Sequence, residues 1–198
     1  MEAYLVSAGV VAVAEIGDKT QLLALVLATR FRKPVPIILG ILAATLANHL
    51  LAAWVGALVA GWLGDQALRV VVGVSFLLMA GWVLVPDKDD DDAPRPFERF
   101  GPFVATLVAF FLVEIGDKTQ IATVALAARF NDVLWVTAGT TTGMMLADVP
   151  AVFVGQAAAH KIPLGMVRAV AAAVFAVLGV LALGDAAGIS AALTATAR

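Results

Sequence analysis

Glu15-Ile16-Gly17-Asp18-Lys19-Thr20-Gln21 lies in the middle of an apolar stretch, and it returns unchanged as Glu114-Ile115-Gly116-Asp117-Lys118-Thr119-Gln120. After each copy the chain turns apolar again and ends that run on Arg-Phe, at Arg30-Phe31 and at Arg129-Phe130. A charged heptad kept identical in two otherwise diverged halves marks a site to which both halves contribute. Carboxylates at the centre of an apolar span are costly, and their default reading is that they bind or carry a cation.

The surroundings of the heptads say what kind of span this is. Of the 198 residues, 62% are hydrophobic and only 14% charged, with a mean hydropathy of +0.97. A soluble domain is nearer half apolar and about a quarter charged. The chain therefore reads as a polytopic membrane protein whose first partner is the lipid bilayer. A span needs roughly 20 residues, and six stretches qualify: Ala3 to Ala28, Pro36 to Leu63, Ala67 to Val85, Gly101 to Ala128, Val133 to Ala158 and Pro163 to Gly184. The first is not a secretory signal, because Glu2 and no basic residue flanks it, its apolar region is too long and Glu15 sits inside it. Without cysteine there are no disulfides and no thiolate metal sites. A net charge of -2 and the lack of a basic patch give no reason to expect nucleic acid as a partner.

Sorting the basic residues by loop places Arg30, Arg32, Lys33, Lys88, Arg95, Arg99, Lys161 and Arg168 on one side, and Arg69, Arg129 and Arg198 on the other. The positive-inside rule then puts both termini outside. Residues 1–86 form one three-helix repeat, 100–198 the second, and 87–99 an acidic cytoplasmic linker that opens Asp87-Lys88-Asp89-Asp90-Asp91-Asp92. That linker reads as a solvated joint, or as an acidic lure for divalent cations at the cytoplasmic mouth. The repeat spacing of 99 residues also matches Gly40 to Gly139 and Gly56 to Gly155. An odd number of spans per half forces the halves to run in opposite senses. The expected fold class is thus an all-α integral membrane protein with six transmembrane helices in a 3+3 inverted-topology repeat, the plan of many secondary transporters with midplane ion sites.

If each heptad is helical, Glu15, Asp18 and Lys19 share one face, as do Glu114, Asp117 and Lys118, with Gln21 and Gln120 continuing the spiral. Gly17 and Gly116 admit a close backbone neighbour, or else permit a break that frees carbonyl oxygens for an ion. Six charged side chains would together cost on the order of 15 to 20 kcal/mol if uncompensated. Internal pairs of Glu15 with Lys19 and of Glu114 with Lys118 offset part of this and leave two excess negative charges, matching one divalent cation or two protons. The lysines either hold the site together as internal cations or simply complete the charge balance. Carboxylate and amide oxygens, with no Cys or His in the heptads, suit Mn²⁺, Ca²⁺ or Mg²⁺ rather than copper or zinc. Carboxylates that bind such an ion in one state can take up protons in another, which makes a cation/proton exchange cycle natural. The expected metal ligands are Glu15, Asp18, Gln21, Glu114, Asp117 and Gln120, and no resident cofactor is expected because the ion is cargo.

Further polar residues lie in the following spans. Asp148 and Asn48 are candidate secondary site residues, with His49 beside Asn48 and a one-residue ambiguity in which of the two matches Asp148. Met144, four residues before Asp148, is a thioether that would favour manganese if it were a ligand, or is ordinary packing.

Two copies of Glu-x-Gly-Asp-Lys-Thr, on the first and fourth of six spans and separated by an acidic linker, closely resemble the Gdt-type cation/proton exchanger family of the calcium/cation antiporter superfamily. That family includes bacterial manganese exporters and Golgi manganese/calcium exchangers, and the resemblance covers nearly the whole chain. It implies export of Mn²⁺, or of Ca²⁺ in some members, from the cytoplasm in exchange for protons. It also implies motif acids at Glu15, Asp18, Glu114 and Asp117, with Lys19, Thr20, Lys118 and Thr119 completing each motif. The short amino terminus looks like that of a bacterial member, which points to the bacterial cytoplasmic membrane. Three other readings compete: an intramembrane aspartyl protease built on Asp18 and Asp117, a membrane scaffold with a vestigial ion site, and an exporter of small organic cations. The protease would need two aspartates sharing a proton, and the organic-cation exporter would need aromatic residues at the site.

Overall fold

The computed structural model describes residues 1–85, 100–154 and 164–188. The acidic linker 87–99, Gly155 and the basic residues Lys88, Arg95, Arg99, Lys161 and Arg198 lie outside the described residues, as do the last residues of the expected fifth span. Among the described residues there are eight helices and no strand: α1 (Glu2–Glu15), α2 (Lys19–Phe31), α3 (Pro34–Trp62), α4 (Asp65–Val83), α5 (Pro102–Glu114), α6 (Lys118–Phe130), α7 (Val133–Val154) and α8 (Leu164–Ala186). Three of these are long and apolar enough to cross a membrane, namely α3, α4 and the Arg168–Ala186 part of α8.

The first and fourth apolar stretches are not single helices. Each is cut in the middle of its heptad, so α1 and α2 have 14 and 13 residues and α5 and α6 have 13 each. At 1.5 Å per residue each piece is only about 20 Å long, short of a hydrocarbon core of about 30 Å. The cause is local. Gly17 and Gly116 adopt φ of 81° and 77°, a region that L side chains avoid and that ends a right-handed helix. Flanking residues repeat the same path, with Ile16 and Ile115 extended at ψ 114° and 119°, and Asp18 and Asp117 extended at ψ 169° and 164°. Of the two roles open to these glycines, the break is the one observed. The helices then close alike as well: Arg32 and Asn131 are left-handed caps, and their N–H groups donate to the Ala28 and Ala127 carbonyls. Pro34 and Pro102 open α3 and α5, where a missing N–H costs nothing.

Packing holds the pieces in matched pairs. The glycines of α7 and α3 let α1 and α5 lie backbone to backbone on them. A Cβ on Gly40 would sit 2.8 Å from both the Phe103 carbonyl and Thr106 Cβ, while one on Gly139 would meet Tyr4 and Ser7. Tyr4 and Ser7 lie 99 residues before Phe103 and Thr106, so one interface is built twice. Between α4 and α8 the repeat mates Phe76 and Phe175 face each other with ring centroids 6.1 Å apart. One apolar cluster gathers around Phe76, Met79, Leu126 and Phe175, and a second around Leu23, Ile37, Ile41 and Phe110. Large apolar side chains also cover the outside, among them Leu50, Trp54, Leu78, Leu146, Phe153 and Val180. An exterior of this kind suits lipid rather than water.

Candidate functional site

Both breaks carry the same internal wiring. The Asp18 N–H donates to the Glu15 carbonyl at 3.0 Å, and the Asp117 N–H to the Glu114 carbonyl at 3.0 Å. The Gly17 N–H donates to Gln21 Oε1 at 3.0 Å, and the Gly116 N–H to Gln120 Oε1 at 2.7 Å. Each glutamine therefore spans its own break and fastens it. Gln21 is also tied outward, because its Nε2 donates to the Ala147 carbonyl at 3.0 Å. Both ends of Gln21, an expected ligand, are thus engaged with backbone.

Because the heptads are broken, Glu15, Asp18 and Lys19 do not lie along one helix face, and the expected internal ion pairs are replaced. Lys19 Nζ is 3.2 Å from Asp117 Oδ1, and Lys118 Nζ is 3.3 Å from Asp18 Oδ1. Each lysine reaches across to the aspartate of the other half. An i, i+4 pairing requires an unbroken turn between the partners, and the left-handed glycine removes it. The crossing brings the breaks together so that one carboxylate oxygen each from Glu15, Asp18 and Asp117 lies within 4.8 Å of the others. Three hard oxygens at that spacing leave room for one cation between them at ordinary metal–oxygen distances of about 2.3–2.6 Å.

Glu114 stands outside that trio. Its Oε1 accepts from the Thr45 hydroxyl at 2.8 Å, and its Oε2 accepts from Asn48 Nδ2 at 3.1 Å. Asn48 donates as well to the Phe111 carbonyl at 3.1 Å. Glu15, its counterpart, instead accepts from Thr20 at 2.6 Å. Thr119 sits 3.4 Å from Asp117 Oδ2. The repeat is therefore exact in backbone and unequal in side-chain bonding. Thr45 escaped the sequence reading; a buried hydroxyl in an otherwise apolar span was the only available sign.

The glycine contacts settle the alignment of the polar residues in α3 and α7. Gly40 and Gly139 occupy equivalent places, so the 99-residue register pairs His49 with Asp148 and Asn48 with Ala147. Asp148 is fully buried, and neither carboxylate oxygen has a hydrogen-bond partner among the described residues. It lies within electrostatic range of Glu114 and Asp18. The two ring nitrogens of His49 are likewise buried without a partner among the described residues. Met144 is fully buried in α7. Five buried carboxylates and two lysines thus give the region a formal charge of three negatives when all are ionised, an arrangement that attracts a divalent cation. The aspartates each face a lysine, unlike the shared-proton pair an aspartyl protease requires.

At one end of the bundle a cavity of about 440 Å³ is lined by Asp65, Arg69, Val72, Arg129, Phe130 and Asp185, among others. The start of α4 and the ends of α6 and α8 meet there. Arg69 and Arg129 consequently share one end of the molecule.

Known proteins resemble this chain along most of its length. A family model described as "Divalent cation/proton antiporter GDT1" matches residues 3–91 and again 102–190. The chain is 56% identical over 176 residues to a Vibrio cholerae protein named "Putative manganese exporter", covering 88% of this chain and 87% of that one. It is 30% identical over 170 residues to a GDT1-like protein of Synechocystis, covering 77% of this chain and 82% of the relative. To GDT1-like protein 4 of Oryza sativa subsp. indica it is 28% identical over 199 residues, covering 88% and 70%. No solved structure matches it. With the family model spanning both halves, heptads included, the chain belongs to the GDT1 family of divalent cation/proton antiporters.

Proposed function

We propose that this divalent cation transporter exports Mn²⁺ from the bacterial cytoplasm in exchange for protons, with Ca²⁺ as the other candidate cargo. The observation that carries this reading is the trio of Glu15, Asp18 and Asp117 oxygens, assembled from both broken heptads. Oxygen donors of this kind suit Mn²⁺ and Ca²⁺ alike, and the name of the Vibrio cholerae relative favours manganese. In this reading the ion sits between the two breaks, held by Glu15, Asp18 and Asp117, and Glu114 joins it from its Thr45 and Asn48 seat. Gln21 and Gln120 keep the breaks in shape rather than ligating. Protons neutralise carboxylates once the ion has left, which lets the carrier return.

The topology follows the same logic. Taken end to end, α1 with α2 and α5 with α6 are each long enough to span the bilayer, which makes six spans in two inverted three-span repeats, 1–86 and 100–198, joined by the cytoplasmic linker 87–99. Arg30, Arg32 and Lys33 would face the cytoplasm, Arg69 and Arg129 the outside, and both termini the outside. Flux in proteoliposomes with an imposed pH gradient tests the function. Gradient-driven Mn²⁺ uptake that disappears in Glu15→Gln is expected. Absence of flux for Mn²⁺, Ca²⁺ and Mg²⁺ from folded protein would instead favour a scaffold or an organic-cation exporter.

A further inference from the structure

The crossed lysines have a consequence that extends the exchanger reading and rests on it. Lys19 and Lys118 each follow an aspartate directly in sequence, yet each ammonium engages the aspartate of the opposite half, at 3.2 Å and 3.3 Å. The aspartates concerned are two of the three carboxylates whose oxygens cluster. The glutamates of the heptads are held differently, by the hydroxyls of Thr20 and Thr45 and the amide of Asn48. Positive charge is therefore delivered by the protein to the same carboxylates a divalent cation would use.

We propose that Lys19 and Lys118 act as tethered counter-cations that compete with the cargo for Asp117 and Asp18, so that ion binding displaces a lysine and ion release is driven by its return. An ammonium and a divalent ion a few ångströms apart repel strongly in a poorly screened interior, so both cannot engage these aspartates at full strength. Competition of this sort weakens ground-state binding and speeds release, which is what a carrier needs. The two bridges are unequal. The Lys19 side chain is 31% exposed and that of Lys118 is 6% exposed. Lys19 has space to swing clear while the helices stay in place, whereas Lys118 is enclosed and gives way only when the two halves move. Lys19 is accordingly the first lysine an arriving ion displaces, and Lys118 the second.

The chain contains no cysteine, so Lys19→Cys carries a single thiol. Purified Lys19→Cys protein is treated either with a methanethiosulfonate that attaches an aminoethyl group, restoring an ammonium, or with one that attaches a neutral methyl group, and Mn²⁺ exchange is then measured in proteoliposomes. Both forms come from one folded preparation. The neutral form is expected to show a KM at least about tenfold lower than the wild type, together with reduced turnover. The ammonium form should recover both parameters. A KM that is the same in the two forms, or raised in the neutral one, would overturn the proposal, since a merely structural bridge predicts lost folded protein without a joint fall in KM and turnover. If Lys19→Cys does not yield folded protein, direct Mn²⁺ binding to Lys118→Gln by calorimetry decides: tighter binding than wild type supports the competition, and equal or weaker binding overturns it. Wild-type vesicles that carry no divalent ion would instead refute the exchanger reading itself.

Discussion

Asp148 shows most plainly how one residue divides stability from function. It is fully buried, and neither of its oxygens finds a protein donor among the described residues. Such a carboxylate is costly to keep. Asp148→Asn is therefore expected to raise the melting temperature in detergent by a few degrees while cutting exchange by tenfold or more, about 1.4 kcal/mol or greater on the barrier. Thermal unfolding and flux on the same preparation check both halves of the expectation. Glu114 behaves in the opposite way, because Thr45 and Asn48 already satisfy it. Thr45→Val removes one of these donors and should destabilise the protein by about 1–3 kcal/mol, read as a lower melting temperature. Glu15, Asp18, Lys19 and their repeat mates were legible as a candidate site because identical charged residues recur within apolar runs. Their pairing was not, since the i, i+4 partners in sequence are not the partners in space.

Among the elements, the broken helices matter most. Gly116 has open space around the position of a Cβ, so Gly116→Ala meets no steric obstacle from its neighbours. Its φ of 77° is another matter. Forcing an alanine into that region costs about 1–2 kcal/mol, and the substituted segment gains by closing into a continuous helix. Loss of exchange with the protein still folded is the expected result, seen as absent flux alongside preserved helical circular dichroism. Gly40→Ala fails for a different reason. Its Cβ would lie 2.8 Å from the Phe103 carbonyl and from Thr106 Cβ, pushing α5 off α3 at a cost of about 1–3 kcal/mol. Here stability should fall first, measured as a lower melting temperature. Sequence alone left the two glycine roles open at Gly17 and Gly116, because a left-handed φ and a close contact select for the same residue. At Gly40 and Gly139 the repeated spacing suggested equivalence, and the shared contacts with Phe103, Thr106, Tyr4 and Ser7 supply its cause.

Across the whole molecule, duplication explains why the carboxylate trio draws on both halves. Each half provides one break and one lysine, and the carboxylate trio takes Glu15 and Asp18 from one and Asp117 from the other. A half alone would bury uncompensated charge. The orientation proposed here is checked with reporter fusions: an enzyme active only outside the cytoplasm should work at either terminus, and the same enzyme inserted between residues 87 and 99 should be silent. Activity within that linker would reverse the orientation.

Composition, the doubled heptad and the 99-residue spacing were enough to read a helical membrane protein with a candidate cation site in its two charged heptads, because burial of charge in apolar surroundings is expensive wherever it occurs. Folding added what depends on distance between remote residues. It showed that Lys19 serves Asp117 and Lys118 serves Asp18, that Gln21 and Gln120 close their own breaks, and that Glu114 is held by α3 while Glu15 joins the trio. Those outcomes turn on which side chains meet once two left-handed glycines have redirected four helix ends, and linear spacing carries no record of that meeting.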